Sequence, residues 1–217
     1  MYSCPAENFR GSCEWEVQRS RFICVIGRIQ SEKEARQFID TVRREYPDAR
    51  HHCHAFIVHS TDAQPRAYSS DDGEPAGTAG RPMLDVLQGS GLQDVVVVVV
   101  RYFGGIKLGT GGLVKAYSHS VTLGLELVPR VIRSRQNLYR VEIAHASAGK
   151  YQAEFRARGL NIIEVKYEEA VRLLLACAPE EEDYVRNLVA AVTQGEHDVV
   201  EAGQRWVDIP EETPVRG

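Results

Sequence analysis

Asp94-Val-Val-Val-Val-Val-Val-Arg101-Tyr-Phe-Gly-Gly105-Ile-Lys107-Leu-Gly109-Thr-Gly111-Gly112-Leu-Val-Lys115-Ala-Tyr117 changes character twice. An unbroken valine run without polar alternation suits a strand buried on both faces of a sheet. Branching at Cβ stiffens each residue and favours the extended form. The chain then turns abruptly to Arg101, Tyr102, Gly104, Gly105, Lys107 and Gly109. After Gly112 the apolar positions Leu113, Tyr117, Val121 and Leu125 recur every four residues, which is helical spacing. The stretch therefore reads strand, glycine-rich turn, helix. Two readings of the turn stand open. Glycines permit close packing of a helix on a sheet. They equally let backbone N–H groups at a helix start meet a phosphate or carboxylate, with Lys107, Lys115 and Arg101 alongside. The spacing is neither a P-loop nor the dinucleotide fingerprint: no Ser or Thr follows either lysine, and Gly109-x-Gly111 lacks its third glycine.

Working outward, Ser31-x-x-Glu34 is a capping box, followed by helical spacing at Ala35, Phe38, Ile39, Val42 and Tyr46. Strands are expected at Trp15–Val17, Arg21–Ile29 and His51–His59. Residues 1–13 show no period and read as a loose lead-in. On the His51 strand, period two puts His52 and His54 on one face and Cys53 and Ala55 on the other. Two imidazoles are too few for a zinc site unless Asp71, Asp72 or Glu74 join them, so packing and metal binding both stay open. Ala67 to Pro82 reads as a long loop rich in carboxylates, hydroxyls and glycines. A segment of this length without its own structure usually has a task. Asp71 and Asp72 could act as ligands or as a base; alternatively Asp72 and Glu74 order the loop by capping and by pairing with Arg101. Thr78 belongs to the same segment. Pro82 opens a short helix. On the long helix after the turn, Lys115, His119, Thr122 and Glu126 form a polar face that Pro129 ends.

From residue 134 onward a second unit begins, with strands at Leu138–Ala144, Ile162–Tyr167, Val171–Cys177 and Val199–Val207. Its helices start at Ser147 and Pro179, the first closed by Gly159 and the second, with Tyr184, Val185, Leu188 and Val189 as its core face, by Gly195. Residues 209–217 read as a Pro-rich tail. The expected class is α+β with two domains, 1–133 and 134–217, the second with the βαββαβ order of ferredoxin-like folds.

The totals narrow the function. The chain has 217 residues and a net charge of −4. Residues 1–130 carry 15 Lys/Arg and 15 Asp/Glu, while 131–217 carry 11 and 15, so any nucleic-acid face must be a local patch on the first domain. Five scattered cysteines without C-x-x-C argue for a reducing cytosol. No signal peptide, membrane span or cofactor is expected.

Asp71-Asp-Gly-Glu-Pro-Ala-Gly-Thr-Ala-Gly-Arg-Pro-Met-Leu84 and Arg101-Tyr-Phe-Gly-Gly-Ile-Lys-Leu-Gly-Thr-Gly-Gly-Leu-Val-Lys-Ala-Tyr117 together resemble the signature of the IMPACT/YigZ family. Ser20-Arg-Phe22 and Pro47-Asp-Ala-Arg-His-His52 extend the resemblance. It implies a first domain with the βαβ-type fold of domain IV of elongation factor G and of a ribosomal-protein domain. It also implies a second domain like domain V of that factor. Eukaryotic IMPACT dampens a starvation kinase through a ribosome-associated activator. That partner is not carried over, because the extra N-terminal domain of IMPACT has no counterpart in these residues. The resemblance favours a translation-linked regulator. Its partner would be RNA or a ribosome-associated protein, met by Arg101, Tyr102, Gly104, Gly105, Lys107, Gly109, Thr110, Gly111, Gly112 and Lys115. The alternatives are an enzyme acting on a phosphorylated or carboxylated small molecule, with Asp72 or His52 as base, and a protein-interaction regulator using the acidic second domain.

Overall fold

The valine run lies at the centre of a five-stranded sheet in a computed structural model that describes residues 1–61 and 63–211. After a short β1 (Tyr2–Pro5), the strands are β2 (Arg10–Val17), β3 (Ser20–Arg28), β4 (His51–Val58), β5 (Arg66–Ser70) and β6 (Val95–Tyr102). They run in the order β2-β3-β6-β4-β5, every neighbour antiparallel. Val98 sits opposite Val25 on one side and His54 on the other. This sheet belongs to a unit built on Tyr2–Ile132.

Helices cover both faces of the sheet. Val96, Val98 and Val100 pack with Ala35, Ile39 and Val42 of α1 (Glu32–Glu45). Val95, Val97 and Val99 share a core with Met83 and Leu87 of α2 (Gly80–Gly89) and with Leu113, Tyr117 and Val121 of α3 (Gly109–Glu126). Each valine is fully buried, worth roughly 1.5–3 kcal/mol apiece. Two covered faces, rather than parallel pairing, are what an uninterrupted apolar strand requires. Helix α1 begins at Ser31, whose hydroxyl accepts from the Glu34 N–H at 3.2 Å. The Glu34 carboxylate reaches back one residue further than the usual box, accepting from the Gln30 N–H at 2.8 Å.

A second unit, Arg133–Ile209, is built on strands of the second sheet. It takes in β7 (Arg130–Ile143), α4 (His145–Ala157), β8 (Asn161–Tyr167), β9 (Val171–Cys177), a 3-10 turn at Pro179–Glu181, α5 (Glu182–Thr193) and β10 (Val199–Pro210). The four strands lie β10-β7-β9-β8, with a helix after the first and third in the chain: the βαββαβ arrangement. Val141, Leu173 and Leu175 meet Phe155 of α4 and Val185 and Val189 of α5 in its core.

Several elements differ from expectation. The supposed lead-in forms β1 and the start of β2. Strand β2 is an outer strand whose Cys13, Trp15 and Val17 alternate with exposed neighbours, a period-two signal split across the expected boundary. Strand β5 occupies the front of the expected loop; it is the other outer strand and buries neither face, so no apolar alternation marks it. Helix α2 starts at Gly80, two residues before Pro82. Strand β7 starts eight residues before Leu138. Helix α4 starts at His145, and the Ser147 hydroxyl donates back to the Ala144 carbonyl instead of capping. Tyr184 is exposed, donating its hydroxyl to the Arg158 carbonyl at 2.9 Å. Of the expected Pro-rich tail, residues 212–217 lie outside the described residues.

Candidate nucleic-acid interface

The carboxylate-rich loop between β5 and α2 is held by three acids with separate tasks. Asp71 accepts from the N–H groups of Gly77, Ala79 and Gly80 at 2.8, 2.9 and 2.9 Å, so it caps α2 from nine residues upstream of Gly80. Burial alone would raise its carboxyl, but these backbone donors outweigh burial and hold it below the usual carboxylate range. Asp72 has a φ of +42° beside Gly73 at +87°, the left-handed pair that turns the chain. Its carboxylate pairs with Arg43 of α1 and accepts from the His52 N–H at 2.8 Å. Glu74 is buried, accepts from Arg101 Nη1 at 2.6 Å and from the Tyr117 hydroxyl at 2.8 Å. Thr78 closes the loop through Pro75, donating to its carbonyl at 2.7 Å.

Glu74 thus ties the loop to the end of β6 and to α3. Arg101, which the sequence offered both as a phosphate contact and as a partner of Glu74, is only 7 % exposed and turned inward to Glu74. Its Nε is buried without a partner, and its guanidinium stands 5.5 Å from the Phe22 ring centre and 5.6 Å from that of Phe103. A guanidinium at a buried strand end serves best as an internal counter-charge. Tyr117 and Cys53 complete this cluster. Burial, reinforced by Cys53 and Glu74, pushes the Tyr117 hydroxyl well above its ordinary range and keeps it a donor. Burial likewise pushes the Cys53 thiol up to about 12. Neither was named from sequence as a site residue: Tyr117 reads there as an apolar helix position and Cys53 as part of the strand face turned away from the histidines.

His52 and His54 share a face, as the strand period requires, and both are buried. The ring of His52 donates from Nε2 to the Tyr46 carbonyl at 3.0 Å, and that of His54 from Nδ1 to the His52 carbonyl at 3.0 Å. His52 Nδ1 stands 3.9 Å from Asp72. The two candidates for a catalytic base, Asp72 and His52, therefore spend their polar atoms on the scaffold. Among the described residues no cluster of three or more His, Cys, Asp or Glu is placed to hold a metal.

The turn from β6 to α3 remains open to solvent. Gly104 is there of necessity: a Cβ would lie 1.9 Å from the Arg19 carbonyl oxygen, so the turn packs backbone to backbone. Gly109, at φ +70°, faces open space. Helix α3 starts with no side-chain cap and no acid in its first turn, leaving the N–H groups of Gly109, Thr110 and Gly111 at an exposed positive end. Lys107 and Lys115 are exposed, and no ion pair to either is found among the described residues. Phe103 is 56 % exposed, and Ile106 is exposed beside it. Tyr102, by contrast, is half-buried with Arg21 stacked 4.7 Å from its ring centre. Gly105 shares the turn at φ +85°, and Gly112 packs against Leu108. His119, further along α3, meets the edge of Trp15 at 4.6 Å.

Comparison with known proteins gives this site a family. Residues 18–125 match the Impact N-terminal domain, and residues 141–196 match a domain of unknown function, DUF1949. The chain is similar to the IMPACT family member YvyE of Bacillus subtilis, 37% identical over 91% of this chain and 90% of that protein. It is similar to the IMPACT family member YigZ of Escherichia coli, 52% identical over 51% of this chain and 54% of that protein. A crystal structure described as that of a hypothetical protein is 33% identical, covers 98% of both chains and superposes with a TM-score of 0.60. Since similarity to a family member runs through nearly the whole of both chains, this chain belongs to the IMPACT family.

Proposed function

We propose that the protein is a translation-linked regulator that binds RNA, or a ribosomal surface bearing it, through the β6–α3 turn. The observation that carries this reading is the uncapped start of α3. It is free of acids in its first turn and sits next to two exposed lysines without an ion pair among the described residues. Backbone N–H groups and a helix dipole together favour an anion. Lys107 and Lys115 supply the mobile charge that tracks a phosphate chain, and Phe103 supplies an exposed ring on which a base can stack. Arg101 and Glu74 act behind this surface by fixing the turn to the acidic loop.

The test is cross-linking and sequencing of RNA bound in cells, paired with filter binding across salt concentrations. Lys107→Ala is expected to weaken binding uniformly and flatten the log–log salt slope by roughly one unit. The Lys107→Ala/Lys115→Ala double variant is expected to lose the cellular footprint. An unchanged footprint and slope in the double variant would remove this turn as the RNA contact.

A further inference from the structure

A cleft of about 440 Å³ opens between α1 and the edge strand β5 of the first unit. It borders the core cluster that includes α1, whereas α3 packs in the other cluster, on the opposite face of the sheet. Its size is that of a small-ligand site. Tyr68 forms one wall, 54 % exposed, with its ring held by Phe56 at 5.4 Å and by His54 at 6.1 Å, interplanar angles 26° and 23°. The tyrosine is thus steadied by two rings of β4 while about half of it stays exposed, which suits a stacking platform. Arg36, Arg43 and Arg66 line the same cleft. Arg36 and Arg66 share one carboxylate, Glu32, at 3.7 and 3.2 Å, which leaves one positive charge between the two, while Arg43 is paired with Asp72. Each guanidinium keeps further donors for an anion. Asp40 on α1 adds an acceptor suited to hydroxyls.

His54, also in the lining, supplies selectivity. Its Nδ1–H is committed to the His52 carbonyl, so Nε2 of the neutral ring is an acceptor. Burial lowers its basicity, which keeps the ring neutral. A flat ring with N–H groups, an anionic phosphate and sugar hydroxyls would use all these features together. We propose that this cleft binds a nucleotide, base against Tyr68 and phosphate against the arginines, as a second site separate from the β6–α3 turn. The nucleotide is either free or one residue of a single-stranded RNA; the recognition chemistry is the same.

The test is titration of the full-length protein with AMP, GMP, CMP and UMP and with a five-nucleotide RNA, read by backbone amide shifts in NMR. Shifts are expected in α1 and β5. Tyr68→Ala should weaken binding on the order of five- to hundredfold, the range of base–aromatic stacking. Tyr68→Phe should retain it, and Arg36→Gln/Arg66→Gln should lose it. Lys107→Ala should leave the mononucleotide-induced shifts in α1 and β5 unchanged while weakening RNA contact at the turn, which separates the two sites. Mononucleotide binding as tight as that of the oligonucleotide identifies a free ligand; oligonucleotide binding alone identifies a strand. No shift in α1 or β5 with any of these ligands, or equal affinity in Tyr68→Ala, overturns the proposal.

Discussion

Glu74 is 4 % exposed at its side chain and neutralises Arg101, which is 7 % exposed. Removing one member of such a pair leaves the other buried and uncompensated, at about 3–5 kcal/mol. Glu74→Ala is expected to lose that much stability in urea unfolding, and Tyr117→Phe about 2 kcal/mol for one hydrogen bond to a charged group. Asp71 makes a pH prediction. Its carboxyl is held below the ordinary range in the folded chain, so it binds a proton more readily when unfolded. Its contribution is therefore present above the unfolded value of about 4 and fades as pH falls through the lower folded value. Asp71→Asn is expected to cost stability at neutral pH and to flatten the acid limb of a stability-against-pH curve. The cysteines are equally distinct. Cys13 and Cys24 are register partners on β2 and β3. A hydrogen bond from Cys24 lowers Cys13, while that same bond and burial raise Cys24. Iodoacetamide at mildly alkaline pH is expected to modify Cys13 before Cys24 or Cys53, as mass spectrometry of timed samples will show.

At the scale of the element, α3 carries two kinds of glycine. A Cβ at Gly124 would stand 2.6 Å from Cys24 Sγ, because the helix lies directly on β3. Gly124→Ala gains about 1 kcal/mol of helix propensity. It meets an overpacking cost of about 1–3 kcal/mol, so a lower melting temperature is expected. Gly111 faces open space within the first turn, with no positive φ. Gly111→Ala is expected to stabilise by roughly 0.5–1 kcal/mol while weakening RNA binding, since a methyl group would block close approach to the amides. Melting temperature and affinity moving in opposite directions would separate a packing role from a binding role at one residue. Helix α1 depends on its cap: Ser31→Ala is expected to cost about 1 kcal/mol.

At the scale of the whole molecule, charge divides along the chain. The first 130 residues balance 15 cations against 15 acids, and the remainder carries 11 against 15. The two units also have separate cores, which supports expressing them apart. RNA binding is expected to travel with residues 2–132 and to be absent from residues 133–211 at physiological salt. Gel-shift measurements on the two fragments check this. Binding confined to the second fragment would favour an interaction surface there over the β6–α3 turn.

The sequence by itself determined the elements whose burial writes a pattern. Val95–Val100 is legible because burial on both faces leaves an unbroken apolar run, and the α1 face and the helix after Gly109 because burial of one face imposes a period. The family signature was legible too, since it lies in contiguous residues. Edge strands β2 and β5 were missed in part or whole, because an edge buries little and so writes little pattern. The sequence offered Arg101 both as a phosphate contact and as a partner of the acidic loop, and tertiary structure decided between the two. Arg101 and Lys107 stand six residues apart, yet one is spent on Glu74 and the other is exposed. That difference comes from which side of the sheet end each reaches, and from a carboxylate 27 residues away. The cleft beside Tyr68 is likewise a product of packing, bringing α1, β4 and β5 together from segments that share no local signal.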